Sequence, residues 1–316
     1  MLPSWWDDQI ASSPDGMWEL VLGIAKSLSL DAAALSKGEL FPKGAVANIS
    51  YKRNALVNPQ DFQASTLIAS SISNAIISSI KVPYQTLPKN VWELNEEIRA
   101  IGKGSIDFDA LLNYCWRKGV PVISLSNLPF GLKKMDGAAL KVGDRPVIIL
   151  AKKNNSKSWL SFILAHELGH IALGHLENNS SIVDIALQQE STFDSDNTGD
   201  SMELEADKFA LNILGGPLAQ ETQERWGDFD SAITLATNAR AAANLLGCSA
   251  GHLILRYAFR TKRWPEAASA LKFLREDFDA QKEIVKSMAS GIAFDDLSND
   301  VQDLIFRITG YSPLES

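Results

Sequence analysis

The chain has 316 residues, 46% of them hydrophobic and 22% charged, with a formal net charge of −8. That length holds one large domain or two smaller ones, and the acidic balance argues against non-specific nucleic-acid binding, which needs a basic surface to neutralise phosphates. No stretch reads as a membrane span, and Met1 to Asp8 lacks the basic and apolar segments of a signal peptide, so a cytoplasmic protein is expected.

Residues 1 to about 85 read as helical, and 1–87 is expected to form a helical amino-terminal extension. Gly16 to Leu28 carries apolar residues at 3-4 spacing, Asp31 is placed to cap Ala32 to Leu35, and Asp61 to Ile80 suggests a longer helix interrupted by serines. Pro83 and Pro88 mark a linker. A core over 88–217 then opens with helices at Val91 to Ala100 and Asp107 to Lys118, the second ended by Gly119. Cys115 lies inside that second helix and reads as a small apolar core residue; a sharper option makes it a fourth ligand that caps a metal. Val120 to Leu125 is a predicted strand. Gly137 to Val142 and Pro146 to Ala151 form an antiparallel hairpin around Gly143-Asp144-Arg145. The fold class expected is α+β, a small antiparallel sheet packed on metal-bearing helices, with mainly helical amino- and carboxy-terminal regions. Gly137 to Val142 is expected at the sheet edge, where it would hold an extended peptide.

The chemistry concentrates in Trp159 to Gly174, which contains His166-Glu167-Leu168-Gly169-His170 within an apolar segment capped by Asn154, Asn155 or Ser156. On a helix, positions i and i+4 are separated by about 40°, so His166 and His170 point the same way and can grip one Zn²⁺. Glu167, about 100° from His166, is too far round to be an easy ligand, and suits a general base acting on a water. Leu173 and Leu176 stand where a metzincin would have Gly and a third His. His175 lies about 160° from the metal face if the helix continues, and becomes available only through a bend at Gly174. The remaining source of a third ligand is a second helix at Met202 to Leu211, where Glu203 and Asp207 are i and i+4. One of them can bind metal while the other orients a histidine; Glu205, about 200° from Glu203, points elsewhere.

Glu177 to Asp207 holds nine acidic residues and no Lys or Arg. It reads as a solvated insertion, or as a gate that favours basic substrates. Residues 218–316 form a helical carboxy-terminal region, with helices expected at Ala232 to Leu246, Ala250 to Phe259, Pro265 to Glu276, Ala280 to Ser287 and Asn299 to Ile308. His252 reads as a surface or hydrogen-bonded core residue.

Two separated motifs, His166-Glu-Leu-Gly-His170 and Glu203-x-Glu205-Ala206-Asp207-x-Phe209-Ala210 followed by Leu214 and Pro217, resemble the ImmA/IrrE metallopeptidases over roughly 105 to 217. The resemblance implies a zinc-dependent endopeptidase that cuts a DNA-binding transcriptional repressor in a phage, mobile-element or stress response. Carried onto this chain, it makes His166, His170 and Glu203 the ligands, Glu167 the catalytic base and Asp207 the acid behind a ligand. An oxyanion donor is also expected, with His175 and Tyr257 as candidates. Nucleic acid enters only as a regulator. The rival readings are a zinc-containing partner in a toxin-antitoxin or repressor pair that does not cleave, and a DNA-responsive regulator.

Overall fold

The computed structural model describes residues 6–27, 30–39, 48–52, 59–101, 105–151, 156–176, 180–184, 201–276 and 278–311. Five strands, β1 (Asn48–Lys52), β2 (Val122–Ser124), β3 (Gly137–Val142), β4 (Arg145–Leu150) and β5 (Ser180–Asp184), form one sheet in the order β1-β5-β3-β4-β2. The β3–β4 hairpin is antiparallel, turning at Gly143 with φ +60°, while β2 runs parallel to β4 and β1 parallel to β5. The sheet is therefore mixed rather than purely antiparallel. Its order also corrects the expected edge: β3 pairs with β4 on one side and, over Gly137 to Leu140, with β5 on the other, so it is an inner strand rather than an edge. Two of these strands come from segments read otherwise, β1 from the region read as helical and β5 from the acidic insertion.

The helices are α1 (Pro14–Ser27), α2 (Ala32–Leu35), α3 (Gln63–Ile76), α4 (Val91–Ile101), α5 (Phe108–Arg117), α6 (Lys157–Leu173), α7 (Ser201–Gly215), α8 (Pro217–Glu224), α9 (Ala232–Leu246), α10 (Ala250–Thr261), α11 (Trp264–Leu274), α12 (Ala280–Gly291) and α13 (Asn299–Thr309). The architecture is α+β, a small mixed sheet among many helices. Most helix starts follow from local chemistry. Asp31, Asp107, Ser156 and Ser231 each accept a hydrogen bond from a backbone N–H of the first turn, and Pro217 opens α8, where a missing N–H costs nothing. The serines of α3 do not break it. Ser65, Ser71 and Ser73 donate to the carbonyls of Phe62, Leu67 and Ala69, so their hydroxyls are satisfied inside the core.

Val147, Ile148, Ile149 and Leu150 are all buried, so both faces of β4 are covered. Helix α6 packs on β3 and β4, α3 packs on β3, and α12 and α13 reach β2. One continuous apolar cluster runs from Ala25 through the sheet and α6 to Ile308. Within it α6 is central: fourteen of its residues are buried, leaving it almost no solvent face, so each polar side chain it carries has to find a partner inside the protein. No helix among the described residues is long and apolar enough to cross a membrane.

Candidate metal centre

Helix α6 is anchored at both ends. At its start, Ser156 Oγ accepts from the Trp159 N–H, and the Glu276 carboxylate accepts from Ser156 Oγ at 3.0 Å, the Ser158 N–H at 3.1 Å and Ser158 Oγ at 2.6 Å. A negative charge at this end is favoured by the helix dipole. Trp159 stacks on Trp264 and Phe162 lies 4.9 Å from the Phe259 ring, so α10 and α11 brace the same helix. At its end, Gly174 adopts φ +80°, a left-handed cap, and the His175 N–H returns to the His170 carbonyl at 2.9 Å.

Helix α7 crosses close to α6 because both carry small residues at the contact. A Cβ added to Gly169 would lie 3.2 to 3.4 Å from Phe209 and Ala206, tighter than ordinary packing. This approach brings the first turns of α7 to the histidines. His166 Nε2 and His170 Nε2 are 3.0 Å apart, with Glu203 Oε2 3.5 Å from the first and Glu203 Oε1 3.3 Å from the second. Three donors about 2.0–2.1 Å from one tetrahedral ion lie about 3.3–3.4 Å from each other, so this triangle fits a metal. Among the described residues, His166, His170 and Glu203 form a group of ligand-type side chains that can hold an ion, and all three are buried. Burial pushes the Glu203 carboxyl upward, but hydrogen bonds with His166 and His170 outweigh it and hold the group well below the usual carboxylate range.

The far nitrogens of both rings are also engaged. His166 Nδ1 donates to Asp207 Oδ1 at 3.0 Å, and an ionised carboxylate can only accept, which leaves the His166 Nε2 lone pair for an ion. His170 Nδ1 lies 2.9 Å from His175 Nδ1, and His175 Nε2 lies 3.4 Å from Glu205 Oε2. The bend at Gly174 thus does bring His175 to the site, behind His170 rather than among the ligands. Burial, with a smaller contribution from the neighbouring His170, holds the His175 pKa below its ordinary value.

Glu167 is fully buried and meets β3. A Cβ at Gly137 would stand 2.2 Å from Glu167 Oε1 and 3.0 Å from Ile163, so only glycine lets the strand pass the carboxylate. The sequence offers a hint of this, a glycine at a strand start, but gives no reason to link it with Glu167. Glu205 was likewise not foreseen, since the wheel turns it away from Glu203. Tyr257 is buried, its hydroxyl accepting from the Phe229 N–H at 3.3 Å and from Arg263 Nη1 at 3.4 Å. Cys115 is a buried free thiol whose pKa is pushed up to about 12 by burial, and it is not part of the metal-binding group.

The Peptidase U49 family model matches residues 155–289. The match supports a peptidase. It covers less than half of the chain, beginning at the cap of α6 and ending within α12, and so includes His166, Glu167, His170, Glu203, Asp207 and Glu276. No curated protein matches the chain.

Proposed function

We propose that the chain is a zinc-dependent endopeptidase with His166, His170 and Glu203 as the metal ligands. One observation carries this reading: two Nε2 atoms and one carboxylate, from two helices, converge at 3.0 to 3.5 Å in the core of a segment matched by a peptidase family. Two facing Nε2 atoms 3.0 Å apart must share a proton or a cation, and the Asp207 carboxylate that holds the His166 proton at Nδ1 favours the cation.

A zinc ion bound there supplies Lewis acidity, polarising the scissile carbonyl and easing the ionisation of an attacking water. Everything else is done by the chain. Asp207 fixes the His166 tautomer through Nδ1. Glu167 takes the proton of the attacking water and passes it to the departing amine, and Gly137 leaves room for its carboxylate. The order of the two motifs and their likeness to ImmA/IrrE enzymes support a protein substrate of the repressor kind, cut in the cytoplasm. The acidic stretch from Glu177 to Asp207 suits a basic partner.

The test is Glu167→Gln. The variant is expected to bind one zinc per chain as tightly as the wild type, measured by chelator competition, and to leave a fluorogenic peptide library and candidate repressors uncut. Cleavage at the wild-type rate would remove Glu167 from the mechanism.

A further inference from the structure

The two metal histidines are supported in different ways. His166 leans directly on the Asp207 carboxylate, whereas His170 leans on another imidazole that itself reaches a carboxylate. The ligand set does not require this second arrangement: His175 lies outside both motifs, and Glu205, though within the second, is not a ligand. Its geometry nevertheless admits one consistent placement of protons. If His170 Nε2 is to face an ion, its proton must sit on Nδ1, and the His175 Nδ1 atom 2.9 Å away must then accept. A neutral His175 that accepts at Nδ1 carries its own proton at Nε2, where Glu205 Oε2 stands at 3.4 Å.

The backbone is shaped to the same end. The left-handed turn at Gly174 ends α6 one residue before His175, and the His175 N–H is bonded to the carbonyl of His170 itself. Backbone and side chain of His175 therefore both address His170. The rings sit 5.1 Å apart with planes at 65°, an edge-on approach that suits a hydrogen bond in the ring plane rather than stacking. The His175 side chain is 8% exposed, while Glu205 is 58% exposed, so the first contact is held within the protein and the second is at its surface.

We propose that His175 is the positioning residue for His170, accepting the His170 Nδ1–H so that Nε2 is presented to the metal, with Glu205 as a weaker outer support. The proposal rests on the zinc reading above. It predicts a graded loss of metal affinity. His175→Phe keeps the ring and removes the acceptor. His175→Asn keeps an acceptor near the Nδ1 position, and His175→Gln moves the amide toward the Nε2 position.

The experiment measures zinc dissociation constants of the full chain by competition with a chromophoric chelator. It is paired with the visible spectrum of the cobalt-loaded protein and the melting temperature of the metal-free protein. Removing a group behind a ligand typically weakens metal binding about 10- to 100-fold, so that loss is expected for His175→Phe and His175→Gln. His175→Asn should bind within about threefold of the wild type, and so should Glu205→Gln, since exposed charged contacts contribute little. The cobalt bands should shift in His175→Phe and be restored in His175→Asn, with the metal-free melting temperatures unchanged across the set. Wild-type affinity in His175→Phe would overturn the proposal while leaving the zinc reading intact. Should that variant fail to fold, equal affinities for the Asn and Gln variants would overturn it. A wild-type chain that binds no zinc would overturn both.

Discussion

The two ends of α7 each meet a buried histidine environment, and they differ in what the ring nitrogens find. At the amino-terminal end, Glu203 and Asp207 face His166 and His170, and all four ring nitrogens are within 3.5 Å of a partner. At the carboxy-terminal end, Gly215 lies against His252 of α10. There a Cβ would stand 2.6 Å from Nε2, and neither ring nitrogen has a hydrogen-bond partner among the described residues. Burial is nearly the same at both ends, so depth does not separate a ligand from a core histidine. Convergence does. A histidine suited to metal has one nitrogen anchored by an acceptor and the other turned toward a second ligand, and His252 has neither.

The largest expected effect comes from breaking that convergence. Glu203→Gln keeps the shape but removes the charge and the preferred zinc donor. It should weaken zinc binding beyond the roughly 100-fold that marks the upper end for residues behind a ligand, as measured by chelator competition. A retained wild-type affinity would mean that the triangle is a hydrogen-bonded core cluster and not a ligand set.

Next in size is a change that leaves the ligands alone. Gly137→Ala places a methyl group 2.2 Å from Glu167 Oε1, too close for both, and the carboxylate has to move. Displacing a catalytic group by about 1 Å can cost about 100-fold in rate. The variant should therefore bind zinc normally and cleave its substrate about 100-fold more slowly, with kcat carrying the loss. Equal loss in zinc affinity would show instead that the strand supports the helix as a whole.

These contrasts also show what could be read from the residues alone. The histidine pair was legible because i, i+4 spacing on a helix dictates direction; Glu203 and Asp207 repeat that spacing on a second helix, but spacing left open which of them joins the pair, and only the resemblance to ImmA/IrrE enzymes pointed to Glu203. The β3–β4 hairpin was legible because Gly143 and Asp144 sit between two apolar runs. Asn48–Lys52 and Ser180–Asp184 were not, because both are short, and their strand state comes from pairing with each other and with β3 across long sequence separations. The position of His175 behind His170 was only half visible. A helical wheel gives the direction of a residue while the helix lasts, and the Gly174 turn ends it; for Glu205 the wheel gives direction but not reach. His252 looked like a hydrogen-bonded or surface residue, and its burial arises from α7 and α10 meeting at a glycine.

The smallest expected effect lies at His252 and sharpens the same contrast from the other side. Burial, assisted by the nearby Arg256 charge, lowers its pKa to about 3, against 6.5 for an ordinary histidine. The ring is then neutral in the folded chain at pH 5, whereas in the unfolded chain it takes up a proton as pH falls below 6.5. Because the unfolded state binds more protons across that window, this group's contribution to stability is complete above pH 6.5. It is lost on acidification, by about 1.4 kcal/mol per pH unit until the folded pKa is reached. Replacing it with a residue that does not titrate, His252→Gln, removes the dependence. The stability difference between wild type and variant, from urea unfolding, should therefore shift by about 2 kcal/mol in favour of the variant between pH 7 and pH 5. A constant difference over that range would mean that His252 keeps its proton in the folded chain and has a partner, which would erase its contrast with the metal pair.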